Sequence, residues 1–296
     1  MDAWIIFTLM AAFMQSIRTA GQKKISVHLS PMATTLVRYL FGLPVAVVYL
    51  LAIMRSDHEA VFLSYVNNAE FFIYASLASV AQILATFFLV KAMGFRNFAV
   101  ATILSKTEAI QTAIFGAIFF SAFLSWLGWR SIMLGVAGII VMSFPPMGAR
   151  PELRGISYGV LSGLGFAFTA LWLRQASLSL DHTVIQSAAI TLVYTIIVQT
   201  IMCLIYLVIK EISQFSLIKK HIPLAIFVGV TSALGSVGWY TAMTYENAAL
   251  VRSLGQIEIV FSLIITYVFF NEKIETKEYV GISAIVVSIL ILLLFL

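Results

Sequence analysis

The two halves of this chain carry one pattern, displaced by 150 residues. Ala92-Met93 aligns with Ala242-Met243, Ala99 with Ala249, and Glu108 with Glu258. Phe119-Phe120 aligns with Phe269-Phe270, and Trp129 with Tyr279. Each glutamate sits inside a long apolar run. A duplicated chain with one ionisable residue per copy at membrane depth is the pattern of a secondary transporter.

Hydrophobic residues make up 61% of the 296 positions and charged residues 10%. A soluble domain carries about 45–50% and about 25%. Such a chain lacks the polar residues to coat its own surface, so lipid is its solvent. Ten segments approach the roughly 20 apolar residues that a spanning helix needs. They are 4–26, 32–54, 70–92, 98–120, 126–144, 155–176, 183–209, 222–244, 247–270 and 278–296. The run opening at Ala3-Trp4 has no basic stretch before it and reads as the first span, not a cleaved signal.

The clearest break falls at Pro145-Pro146-Met147-Gly148-Ala149-Arg150-Pro151-Glu152. Five segments precede it and five follow. An odd number of spans per copy forces the copies into opposite orientations. The expected fold is therefore an all-α membrane protein of ten transmembrane helices. Two inverted five-helix repeats, 1–144 and 155–296, are joined by a linker at 145–154 around a central cavity. Lysines and arginines in the connections number eleven on one side and three on the other, which places both termini outside the cytoplasm.

Four further cations lie within or against spans: Arg18, Arg38, Lys106 and Arg252. Each costs about 2.5–3.5 kcal/mol at a helix centre, so these groups must face one another or water. Gln15, Arg18 and Gln22 form one stripe on the first span by their spacing of three and four. Arg252 and Gln256 share a face of the ninth span, as do Thr102 and Lys106 on the fourth. On an unbroken helix each glutamate lies about 200–240° round from its neighbouring polar pair, giving two polar faces per span. A lone glutamate suits proton coupling; a paired one suits structure or charge compensation. Trp4, Trp126 and Trp129 read as an interfacial belt. Trp239 and Tyr240 lie deeper and suit a cavity wall. Gly155, Gly159 and Gly163 form a small-residue ridge for close packing within the chain.

Several chemistries have no motif here. There is no phosphate-binding G-x-x-x-x-G-K-[ST], no H-E-x-x-H and no G-x-S-x-G. The histidines (His28, His58, His182, His221) fall in or beside loops, none at ligand spacing. The single Cys203 excludes a disulfide framework. The +5 net charge sits at span ends, where membrane orientation explains it without nucleic acid. No enzyme activity, cofactor or metal is expected.

The segment Ala249-Leu250-Val251-Arg252-Ser253-Leu254-Gly255-Gln256-Ile257-Glu258 leads into Phe269-Phe270-Asn271-Glu272-Lys273, and Tyr279-Val280-Gly281 opens the last span. With Ser30-Pro31 before the second span and Arg38 seven residues on, the chain resembles the EamA-type ten-helix transporters of the drug/metabolite transporter superfamily. Ala122 stands where that family has a glutamate, and Ala109 where a proline is common. The resemblance implies a cavity lined by spans 1, 3, 4, 6, 8 and 9, with spans 5 and 10 outside.

The expected function is alternating-access secondary transport in the cytoplasmic membrane. Export of small metabolites such as amino acids leads, driven by protons or exchange. The expected site residues are Glu108, Glu258, Gln82, Gln256, Lys106, Arg18, Trp239 and Tyr240. The glutamates would take a proton or an ammonium group, Arg18 or Lys106 a carboxylate, and the aromatics the ligand body. The expected partners are a small-molecule substrate and the lipid bilayer, with the chain a monomer or weak dimer. The competing classes are a flippase for lipids or lipid-linked precursors, uptake of choline-like cations, and a non-transporting assembly subunit.

Overall fold

A computed structural model describes residues 2–54, 68–93, 105–142, 153–270 and 276–294. The described residues form helices joined by short connections, with no strand among them. Among the described residues, seven helices are long and apolar enough to cross a membrane: Ala3–Ile25, Pro31–Ile53, Ala69–Ala92, Leu153–Leu178, Val184–Lys210, Ile222–Tyr245 and Ala248–Ile265. Three shorter apolar helices occupy the other expected spans, over Glu108–Phe120, Trp126–Val141 and Tyr279–Leu294. Residues 143–152, with most of the expected linker, and 271–275, with Glu272, lie outside the described residues.

In chain order the helices are α1 Ala3–Ile25, α2 Pro31–Leu40, α3 Leu43–Ile53, α4 Ala69–Met93, α5 Glu108–Phe120, α6 Trp126–Met142 and α7 Leu153–Leu178. They continue with α8 Val184–Lys210, α9 Gln214–Lys220, α10 Ile222–Tyr245, α11 Ala248–Leu254, α12 Glu258–Phe270 and α13 Thr276–Leu294. Local chemistry sets several ends. Ser30 accepts the Ala33 amide and Pro31 takes the first turn, which starts α2. The second span breaks between α2 and α3 just before Pro44, whose ring cannot sit against the carbonyl four residues back. Thr183 and Gln186 close a reciprocal capping box on α8. Arg174, one of the three cations on the sparser side of the charge count, closes a helix end. Its guanidinium donates to the Met243 and Glu246 carbonyls at the end of α10.

Three helix pairs carry the most extensive contacts: α4 with α7, α1 with α10, and α6 with α13. A small residue sits at the closest point of each. A Cβ on Gly165 of α7 would meet Ala85 at 2.8 Å, and one on Gly238 of α10 would meet Ala11 at 2.8 Å. A Cβ on Gly138 of α6 would meet the Gly281 carbonyl at 2.8 Å. Close backbone approach is what holds helices together where lipid removes the hydrophobic incentive. The glycines of the expected ridge, Gly155, Gly159 and Gly163, are buried, so that face packs inside the molecule. Between α6 and α13, Ser131 and Ser288 each donate to the other's carbonyl, at 2.8 and 2.7 Å.

The contacts follow the duplication. Displacing α4 by 150 residues gives α10, and displacing α1 gives α7, so the α4–α7 contact and the α1–α10 contact exchange. The α6–α13 contact maps onto itself, and α5 against α7 maps onto α12 against α1. Helices α5 and α12 begin and end at equivalent residues, Glu108 with Glu258 and Phe120 with Phe270.

Candidate functional site

Both glutamates stand at helix starts, directly after a break. In the second half, α11 passes through a single 3-10 turn, Gly255–Ile257, before α12 opens at Glu258. In the first half, Lys106 and Thr107 form a turn before α5 opens at Glu108. A 3-10 turn advances about 120° per residue against about 100° in an α-helix, so three such residues add about 60°. That addition undoes the expected separation into two polar faces. Arg252 and Glu258 line one cavity together, and so do Lys106 and Glu108.

This cavity lies where helices of both halves meet. It holds about 60 Å³, room for about five waters at roughly 10–15 Å³ each. Six charged side chains reach it: Arg18 from α1, Arg38 from α2, Lys106 and Glu108 around the first break, and Arg252 and Glu258 around the second. All but Lys106, which is partly buried, are at most 9% exposed.

The acids are paired across the halves. Lys106 Nζ donates to Glu258 Oε2 at 2.5 Å, and Arg252 Nη1 lies 3.4 Å from Glu108 Oε1. Gln15 Nε2 adds a second bond to Glu258 Oε2 at 2.7 Å. Trp239 joins the two pairs. Its Nε1 donates to Gln15 Oε1 at 2.9 Å, and its ring lies 4.8 Å beneath the Arg252 guanidinium. Gly255 makes room for that ring, since a Cβ there would fall on Trp239.

The remaining two cations differ in their surroundings. Arg38 donates from Nε to Ser232 at 2.6 Å and from Nη1 to Thr86 at 2.9 Å, two neutral hydroxyls. Arg18 is 5% exposed, its Nε has no hydrogen-bond partner, and no ion pair among the described residues includes it. Deeper in the wall, Gln82 accepts from Gln199 at 2.7 Å and from Tyr240 at 3.3 Å, and the Tyr240 hydroxyl meets Thr195 at 2.8 Å.

Seven of the expected site residues therefore come together: Glu108, Glu258, Gln82, Lys106, Arg18, Trp239 and Tyr240. Gln256 goes elsewhere. The 3-10 turn swings it toward Gly135 of α6 and Ser288 of α13, away from the face of Arg252. Both its amide atoms are buried without partners. Gln256→Met is expected to leave transport unchanged and raise stability by about 1 kcal/mol, because it deletes an unpaired buried amide; thermal unfolding and an exchange assay check both parts. Sequence reasoning marked Arg38 and Arg252 as costly to bury and placed Gln15 on the stripe of Arg18, without assigning the three to the site; burial cost and helical spacing were the signals. The histidines are isolated in sequence, yet the His28 and His221 rings stack at 4.3 Å beside α9. Among the described residues no cluster suits a metal ion.

The sequence pattern of the EamA-like transporter family matches residues 2–144 and again 153–294, one match per half. No curated protein sequence is significantly similar to the chain. Among solved structures, 28 chains match. One, the crystal structure of a protein, superposes with a TM-score of 0.74 at 12% identity, covering 99% of this chain and 96% of its own. That likeness establishes the fold.

Proposed function

The chain belongs to the EamA-like transporter family, and from that membership we propose that it is an alternating-access secondary transporter of small carboxylate-bearing metabolites. The family is one of multi-pass membrane transporters and not of enzymes. One observation carries the substrate assignment: among the described residues, the cavity at the meeting of the two halves is lined by more cations than acids. Cations whose side chains are buried bind an anion more strongly than they would on a surface.

Inversion of the two repeats is part of the proposal. The exchange of helix contacts under the 150-residue displacement supports it, as do the equivalent breaks ahead of Glu108 and Glu258. Rocking of one repeat against the other opens the cavity to each side in turn. Both acids are held by cations, which supports exchange of one substrate for another over proton binding at a free carboxylate. Net flux then follows the substrate gradients, outward where the metabolite accumulates inside.

A lipid flippase needs its polar path open sideways to the bilayer. The lateral groove between α4 and α7 is lined by Leu77, Val80, Leu84, Leu161, Phe168 and Trp172, and it shares no lining residue with the charged cavity.

Counterflow in proteoliposomes tests the proposal. Vesicles preloaded with an unlabelled carboxylate are expected to take up the labelled compound faster than protein-free vesicles. Rates equal to protein-free vesicles across amino acids and organic acids, or unchanged rates in both Glu108→Gln and Glu258→Gln, defeat it.

A further inference from the structure

We infer that the cavity selects a small organic dianion, and that Arg18 and Arg38 are the groups that bind its two charges. The inference rests on the transporter proposal and narrows its substrate class.

Charge balance leads to it. Among the described residues, four cations and two acids face the cavity. Lys106 and Arg252 are matched to Glu258 and Glu108. Arg18 and Arg38 are left over, so the described site carries two surplus positive charges. The stretch 94–104, outside the described residues, adds no acid by sequence; its one ionisable residue is Arg96. Glu258 attracts Arg18 but is already engaged by Lys106, and Arg38 donates to neutral hydroxyls; two buried guanidiniums in excess of the acids are costly unless an anion compensates them. Arg18, with a buried Nε that donates to nothing, is a fork awaiting an acceptor. A guanidinium is shaped to grip a carboxylate or phosphate through two parallel bonds.

The same balance disfavours the other ligand classes. A quaternary or primary ammonium needs a free acid, and both acids are engaged. Its other natural seat is an aromatic face. The face of Trp239 is already taken by Arg252. A zwitterionic amino acid brings no net charge and leaves both surplus cations uncompensated.

Ligand-induced thermal stabilisation of the purified full chain in detergent, with calorimetric titration, tests this. The probes at equal concentration are succinate, glycerol phosphate, alanine and choline. Succinate or glycerol phosphate is expected to raise Tm, and alanine and choline are not. Stabilisation by succinate places the two charges on separate carboxylates; stabilisation by glycerol phosphate alone places both on one phosphate. Arg18→Gln is expected to weaken dianion binding roughly 10- to 100-fold, the loss of one charged hydrogen-bonded contact. The same variant, without ligand, is expected to unfold at a higher temperature than wild type, because it removes an uncompensated charge. A purely structural arginine would lower that temperature. Arg18→Lys keeps the charge without the fork and is expected to bind with intermediate affinity. The inference is overturned if neither dianion binds, if alanine or choline binds as well as succinate, or if Arg18→Gln binds dianions like wild type. Counterflow separates it from the transporter proposal. Binding of dianions without exchange removes transport alone; exchange of alanine without dianion binding removes the dianion alone.

Discussion

Glu258→Gln is expected to abolish substrate exchange and to lower stability by about 3–5 kcal/mol, the usual cost of stripping one partner from a buried ion pair. The Glu258 carboxylate receives Lys106 at 2.5 Å and Gln15 at 2.7 Å. Glutamine keeps the size and one acceptor oxygen, but it cannot neutralise Lys106. A third uncompensated cation then joins Arg18 and Arg38 in the cavity. The loss reaches beyond one contact, because Gln15 also receives the Trp239 indole. Thermal unfolding and counterflow measure the two effects. The double variant Lys106→Gln with Glu258→Gln removes both charges, so it is expected to recover most of the stability and little of the exchange. A single variant as stable as wild type would mean that the pair contributes nothing net.

Gly255→Ala is expected to cost about 1–3 kcal/mol, as overpacking usually does, and to slow exchange roughly tenfold or more. A methyl group on Gly255 occupies the place of the Trp239 ring. The ring must tilt, and it serves both acid pairs at once, through Gln15 on its edge and Arg252 on its face. A displacement of about 1 Å is enough to cost a catalytic site two orders of magnitude, and a binding site built from fixed charges is comparably sensitive. Adding Trp239→Phe to Gly255→Ala shrinks the ring and is expected to recover stability but not exchange, since the indole donor is gone. Wild-type behaviour of Gly255→Ala in both assays would show that the ring has room to move.

The duplication and its acids were legible in the sequence because a charge inside an apolar run is costly and so conspicuous. Arg18 and Lys106 were found by the same reasoning, Trp239 by its depth within a span, and all three line the cavity. The pairing was not legible. Periodicity reports which residues share a face of one continuous helix, and it placed Arg252 with Gln256, apart from Glu258. The 3-10 turn at Gly255–Ile257 reverses that grouping, and a lone glycine was its sole trace in the sequence. Which cation meets which acid is a contact between residues 144 or 152 positions apart, beyond any helical spacing. The second expected span emerges as two helices, α2 and α3, and the ninth is interrupted by the turn at Gly255–Ile257, because hydropathy sees where apolar residues lie and not where the backbone breaks.

The crossed ion pairs carry a trace of ancestry. Lys106 serves the acid that corresponds to Glu108, and Arg252 serves the acid that corresponds to Glu258. The two cations stand at non-equivalent positions, with Thr102 and Gln256 in the places of Arg252 and Lys106, so a twofold pair of either half with its own copy would still match each acid, but through two lysines or through two arginines. The guanidiniums left for a ligand have no such symmetry: Phe168 and Ala188 stand in the second half where Arg18 and Arg38 stand in the first. A self-pair of the carboxy-terminal half would enclose a balanced, ligand-blind hollow, and a self-pair of the amino-terminal half would carry twice the surplus. Divergence after the gene doubled thus reshaped what the pocket attracts and moved the cations of the interlock, while each acid kept a cation from across the seam.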